Sequence, residues 1–114
     1  MMDETKKIAQ ALVSAIDKKF GQDIVAIDLR EATSAFDVFV IATGGSQPQT
    51  QAMIQAAQEC LAEHNVQIKH IEGLQNGTWV LLDAGFIVVH IFDKESREFY
   101  NLERVWGDGV KIHA

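Results

Sequence analysis

The sequence predicts an α/β fold of the α+β kind: a single domain over residues 1–114, with three helices on a mixed sheet of about five strands in the order αββαβββα. Three observations carry that prediction. Helical periodicity opens, interrupts and closes the chain; strand-period runs fill the intervals; and two of those runs are separated by a turn short enough for a hairpin.

Glu4 to Phe20 is the first helix, because Ile8, Leu12, Ala15, Ile16 and Phe20 recur at steps of three and four and Gly21 supplies the stop. Asp23 to Leu29 alternates, with Val25, Ile27 and Leu29 opposite Ile24, Ala26 and Asp28, and Phe36 to Ala42 is an almost unbroken β-branched and aromatic run. Both are strands, the second deeply buried. Gly44-Gly45-Ser46-Gln47-Pro48-Gln49 starts a second helix, with Ser46 and Gln49 at capping-box spacing and Pro48 in the first turn. Its buried stripe is Met53, Ala56, Ala57, Cys60 and Leu61, running to about His64. Val66 to Ile71 alternates as a short edge strand, and Glu72 to Gly77 is a loop.

Thr78 to Asp93 holds two strong strands around Ala84-Gly85. A turn at those two residues sets Asp83 opposite Phe86 and Trp79 opposite His90. One face then carries Val80, Leu82, Ile87, Val89 and Ile91; the other carries Trp79, Leu81, Asp83, Phe86, Val88, His90 and Phe92. A third helix, Ser96 to Trp106, puts Phe99, Leu102 and Trp106 on one side and ends near Gly107.

Composition narrows the function. The chain is 114 residues long, 47% hydrophobic and 23% charged, enough to bury a core without staples. Cys60 is the single cysteine and cannot form an internal bridge, and no signal-like apolar segment occurs, so a cytoplasmic protein with no membrane partner is expected. Ten Lys and Arg against sixteen Asp and Glu give a net charge of −6, which opposes direct or sequence-specific binding of nucleic acid and suits a basic protein partner.

Catalytic signatures are weak. Gly44-Gly45-Ser46 lacks the spacing of a dinucleotide fingerprint and the Lys of a P-loop, so a capped strand-to-helix turn explains it. Asp28, Asp37 and Asp83 fall on separate strands rather than at the i, i+2 spacing that holds metal ions for phosphoryl transfer. His64, His70, His90 and His113 match no zinc spacing, and Cys60 lies in an apolar stripe. No catalytic residue, metal or cofactor is expected. The second hairpin face remains. Trp79 with Leu81, His90 and Asp83 makes an aromatic anchor with polar neighbours, suited to a protein interface; the alternative is that the last helix covers that face and makes Trp79 and His90 core.

The runs Asp37-Val-Phe-Val-Ile-Ala-Thr-Gly44, Ser46 with Gln49, Glu72-Gly73, Trp79-Val-Leu-Leu-Asp83, Gly85, Val88-Val-His-Ile-Phe92 and Arg97-Glu-Phe-Tyr-Asn-Leu-Glu-Arg-Val-Trp-Gly-Asp108 resemble the ribosomal silencing factor, or Iojap-like, family from about Ile8 to Asp108. The resemblance implies a nucleotidyltransferase-like fold without catalytic carboxylates. It implies a non-enzymatic factor that binds the large ribosomal subunit through the universal protein uL14, blocks joining of the small subunit, and represses translation under nutrient limitation or in stationary phase. An alternative role in large-subunit biogenesis would use the same surface, and a nucleotide-binding nucleotidyltransferase relative is a third reading. Free members of the family are often homodimers. Carried onto this chain, the partner-binding residues are Trp79, Leu81, Asp83, His90 and Phe92, with Tyr100 and Glu103 of the last helix. Ala84 and Phe86 depart from the family at the hairpin tip, which leaves contacts there open, and residues 109–114 lie beyond the shared motifs.

Overall fold

Apolar periodicity places α1 (Glu4–Asp17) with Ile8, Leu12 and Ile16 buried. The computed structural model describes residues 4–105, 107 and 109–112; Trp106, Asp108 and His113, assigned above to the last-helix stripe, the motif end and the tail, lie outside the described residues. Phe20 does not extend the α1 stripe. It lies past the helix end at φ 64° and is 80% exposed. There Phe20 N–H donates to the Asp17 carbonyl at 2.9 Å and Gly21 N–H to that of Ile16 at 3.2 Å, a Schellman closure whose left-handed residue is Phe20. Gly21 is needed for closeness rather than φ, since a Cβ there would stand 2.6 Å from Ile16 Cγ2.

The sheet has six strands, one more than expected, in the order β3-β4-β5-β2-β1-β6. β1 (Gln22–Asp28) runs antiparallel to β2 (Val38–Thr43), and β2 is buried at every position, as its unbroken apolar run requires. The added strand is β6 (Val110–Ile112), which pairs antiparallel with Ala26, Ile27 and Asp28. Three residues are too few to display an alternation, and only the free edge of β1 gives them a ladder.

α2 (Gln47–Glu63) begins where the capping pattern placed it. Ser46 Oγ accepts from Gln49 N–H at 3.2 Å, while Gln49 Oε1 accepts at 2.6 Å from Gly45 N–H, one residue earlier than in a standard capping box. Its stripe Met53, Ala56, Ala57, Cys60 and Leu61 is buried. β3 (His70–Glu72) is an edge strand shorter than the alternation from Val66 suggested: Val66 and Ile68 pack on the core without entering the ladder, and Glu72 belongs to the strand rather than the loop.

β4 (Trp79–Asp83) and β5 (Ile87–Phe92) form the hairpin, with a register different from the one counted. Trp79 stands opposite Phe92, Leu81 opposite His90 and Asp83 opposite Val88. Ala84 N–H bonds to the Ile87 carbonyl, so the two turn residues are Gly85 and Phe86. Gly85, at φ 92°, supplies the positive φ that a primed turn requires at its first central position. Moving the turn by one residue moves every partner by two, so strand parity, and hence each strand residue's face, is unchanged. Phe86 is the exception: as a turn residue it packs on the helix-side core instead of joining Trp79.

The last helix is broken. α3 (Lys94–Tyr100), capped by Asp93 through Ser96 N–H at 2.8 Å, stops at Asn101, which is left-handed at φ 43°. A further helical turn, α4 (Leu102–Val105), follows, and Phe99 is 80% exposed rather than on a buried stripe. α1 and α2 cover one sheet face over Val40, Val80, Leu82, Val89 and Ile91. The opposite face holds Ile27, Leu29, Phe39, Ile41, Val88 and Phe92, and among the described residues the short C-terminal helices are the only helices that approach it.

Candidate partner-binding groove

An uneven division of helices creates the site. With α1 and α2 both on one face, the other keeps a groove of about 330 Å³ lined by Phe36, Phe39, Trp79, Leu81, Val88 and Leu102, with His70, Glu72 and Asp83 along one side. β4 supplies the wall because its odd-numbered residues Trp79, Leu81 and Asp83 are half-buried while Val80 and Leu82 point into the helix-side core.

Trp79 is the centre of an aromatic layer. Its ring lies 4.5 Å from Tyr100, 5.1 Å from Phe92 and 6.0 Å from His90 between centroids. Tyr100 remains 44% exposed at the α3 end of this layer. His90 and Phe92, expected on the contact surface, are 3% and 0% exposed and form the bed beneath it. Both alternatives raised by the sequence are therefore partly realised: Tyr100 and Leu102 cover one end of the face, and among the described residues no other helix residue covers the rest. Glu103 stands aside. Its carboxylate accepts from Arg97 Nε at 2.8 Å, and Arg97 also donates to Thr43 Oγ1 and the Asp23 carbonyl, tying α3 and α4 to the sheet.

The electrostatics of the groove are acidic. Asp83 accepts Gly85 N–H on Oδ1 at 2.7 Å, and its Oδ2 lies 3.7 Å from His70 Nδ1, whose Nε2 is 3.6 Å from Glu72. No Lys or Arg is among the lining residues. Burial pushes the His90 pKa down to about 4, so its ring is neutral near pH 7.

Asp28 and Cys60, also weighed for chemistry, lie outside the groove. Asp28 is paired with Arg30 at 2.7 Å, and the hydrogen bonds from Arg30, opposed in part by burial, hold its carboxyl below the ordinary range. Cys60 is buried, and burial, with Glu63 adding to it, raises its thiol pKa, the opposite of what a nucleophile needs. Among the described residues no group of three or more His, Cys, Asp or Glu is placed to hold a metal, and no helix is long and apolar enough to cross a membrane. Counting residues missed Phe36 and Phe39 as groove residues: β2 is buried on both faces and shows no alternation to say that Phe39 reaches the open side, and Phe36 precedes the strand, where alternation assigns no face.

Comparison with known proteins bears on the whole chain. The family model described as "Ribosomal silencing factor during starvation" matches residues 2–114. The chain is 39% identical to the ribosomal silencing factor of Bacillus subtilis (strain 168), covering 90% of this chain and 87% of that one. It is 37% identical to that of Halalkalibacterium halodurans, covering 94% and 92%. A crystal structure of a Chromobacterium violaceum protein superposes with a TM-score of 0.86 at 36% identity, over 93% of this chain and 88% of that one. A mouse protein named for mitochondrial assembly of the ribosomal large subunit is 31% identical over 83% of this chain and 43% of its own length. With a matching family model over nearly every residue and relatives of this identity along almost the full length, the chain belongs to the ribosomal silencing factor family.

Proposed function

We propose that this chain is a cytoplasmic translational repressor that docks on the large ribosomal subunit through protein uL14 and sterically prevents the small subunit from joining when nutrients are limiting or growth has stopped. It acts as a binding protein, without turnover or cofactor, on a nucleotidyltransferase-like frame that lacks the catalytic carboxylates. The observation that carries this reading is the open groove: an apolar floor, an aromatic anchor and carboxylates along one side, in a chain of net charge −6. An apolar centre with a charged margin is the arrangement of a specific protein interface, and acidic residues beside it favour a basic partner.

Trp79, Leu81 and Asp83 are the proposed contacts, with Tyr100 extending the anchor; His90 and Phe92 support them from below, and Glu103 holds Arg97. Repression then follows from mass action, since bound repressor and joined small subunit exclude one another. A second copy of the chain competes for the same groove when ribosomes are scarce, so the free protein is expected to form a homodimer.

The test is sedimentation of purified large and small subunits with the protein at a magnesium concentration that drives joining. Wild type is expected to travel with the large subunit and to reduce the joined peak. Trp79 is too well packed to serve as a clean probe, so the informative variant is Leu81→Lys, whose long stem lets the ammonium reach water from a half-buried position. It is expected to weaken binding by about 30-fold, the equivalent of losing an interface hot spot of about 2 kcal/mol. Equal binding by Leu81→Lys removes the groove from the reading. The name of the mouse relative supports a second reading, an assembly factor using the same surface. Immature large-subunit particles accumulating on depletion in growing cells would favour it over repression.

A further inference from the structure

Beneath the groove is a polar contact that the sheet does not need. Trp79 on β4 donates its indole N–H to Nδ1 of His90 on β5 at 3.1 Å. The two are diagonal neighbours, since Trp79 is registered with Phe92 and His90 with Leu81. Stacking alone leaves the indole a choice. Tyr100 at 4.5 Å and Phe92 at 5.1 Å restrict the tilt of the ring, but a ring turned over within that layer keeps much of the same contact. The hydrogen bond removes the choice, because an indole has a single donor on one edge.

His90 is itself held for this task. Its ring packs 4.5 Å from Phe39, edge on, and it is only 3% exposed. With Nδ1 accepting, the hydrogen of the neutral ring sits on Nε2, a buried nitrogen with no hydrogen-bond partner among the described residues. A buried donor left unpaired is destabilising, so an apolar ring would serve the fold better here, as Phe39 and Phe92 do in the same layer. The useful atom of His90 is therefore Nδ1.

We infer that His90 is a positioning residue for partner binding: its Nδ1 locks the indole of Trp79 in one orientation, so the groove meets its partner with the anchor already set. This rests on reading the groove as the ribosomal contact. A pre-set anchor spares the ordering of a large side chain at the moment of association, which favours affinity without adding a contact.

Two amide substitutions separate the nitrogens, since an Asn amide falls near the position of Nδ1 and a Gln amide near that of Nε2. In ¹⁵N-labelled free protein, the Trp79 indole N–H, assigned by its loss in Trp79→Phe, is expected to be protected from solvent exchange in wild type and His90→Asn. In His90→Gln it is expected to exchange at least tenfold faster. In sedimentation with purified large subunits, His90→Asn is expected to bind within about threefold of wild type and His90→Gln at least tenfold more weakly, with the far-ultraviolet dichroism of both unchanged. A freely exchanging indole N–H in wild type overturns the lock whatever the variants do. Equal binding by the two variants overturns the role in docking, and the reverse order assigns that role to Nε2 instead. Failure of wild type to bind large subunits removes the groove reading and the docking role with it, while the exchange rates still report whether the lock exists.

Discussion

Burial decides what His90 does with its charge. The unfolded chain takes up a proton near the ordinary histidine value of 6.5, whereas the folded protein resists until about pH 4. Between those values the unfolded state binds more protons, so this contribution to stability is complete above pH 6.5 and is lost as pH falls towards 4. The full difference is about 3 kcal/mol. Urea unfolding at pH 7 and pH 4.5 is expected to show a fall in midpoint for wild type that is much reduced in His90→Asn; parallel pH profiles in the two proteins would disprove the assignment. Asp28 belongs to a lower range, because a carboxyl held down by Arg30 loses its contribution only as it protonates in acid. The sequence identified Trp79, Leu81 and Asp83 as the open side of a strand, since alternation assigns faces without further information. It left His90 and Phe92 on the same side without revealing that Trp79 and Tyr100 lie over them, because depth within a face depends on neighbours that counting does not place.

The junctions of the elements carry more of the fold than their interiors suggest. Gln49 accepts Gly45 N–H and donates through Nε2 to the carbonyls of Lys19 at 3.2 Å and Phe20 at 2.8 Å, so it joins the start of α2 to the end of α1. Ser46→Ala is expected to lower stability by about 1 kcal/mol through loss of the cap, and Gln49→Ala by more, measured by urea titration. The reverse ranking would show that the bridge to α1 contributes little. Gly73, at φ 86°, admits no side chain, since a Cβ would lie 2.0 Å from the Trp79 carbonyl oxygen. Gly73→Ala is expected to cost on the order of 3 kcal/mol and to disturb the β3–β4 pairing beside the groove, read as lost amide protection of β4. Asn101 is where the pattern misled: Phe99, Leu102 and Trp106 share a helical spacing, but Asn tolerates the left-handed conformation that ends a helix, and the chain uses it there. Asn65, at φ 59°, plays the same part after α2, so the signal was present but ambiguous.

At the scale of the molecule, the decisive feature is that two long helices share one face of the sheet while, among the described residues, the only helices on the other face are α3 and α4. The excess of acidic residues then acts on encounter: if the partner is basic, association with the large subunit is expected to slow several-fold between 50 and 300 mM monovalent salt with a smaller change in dissociation. Stopped-flow mixing would measure it, and a salt-independent association rate would exclude electrostatic steering. Most of this architecture was set by the sequence alone: α1, α2, the buried β2, the hairpin and, Phe86 apart, the composition of its two faces follow from periodicity and capping, which are local and survive even a misplaced turn. Tertiary structure decided the rest. The edge position of β6, the break at Asn101, the true hairpin register and the pairing of Trp79 with His90 each depend on a free edge, a φ angle or a neighbour brought from elsewhere in the chain. Periodicity reports which side of an element is apolar; only packing settles how deeply each residue on that side is covered.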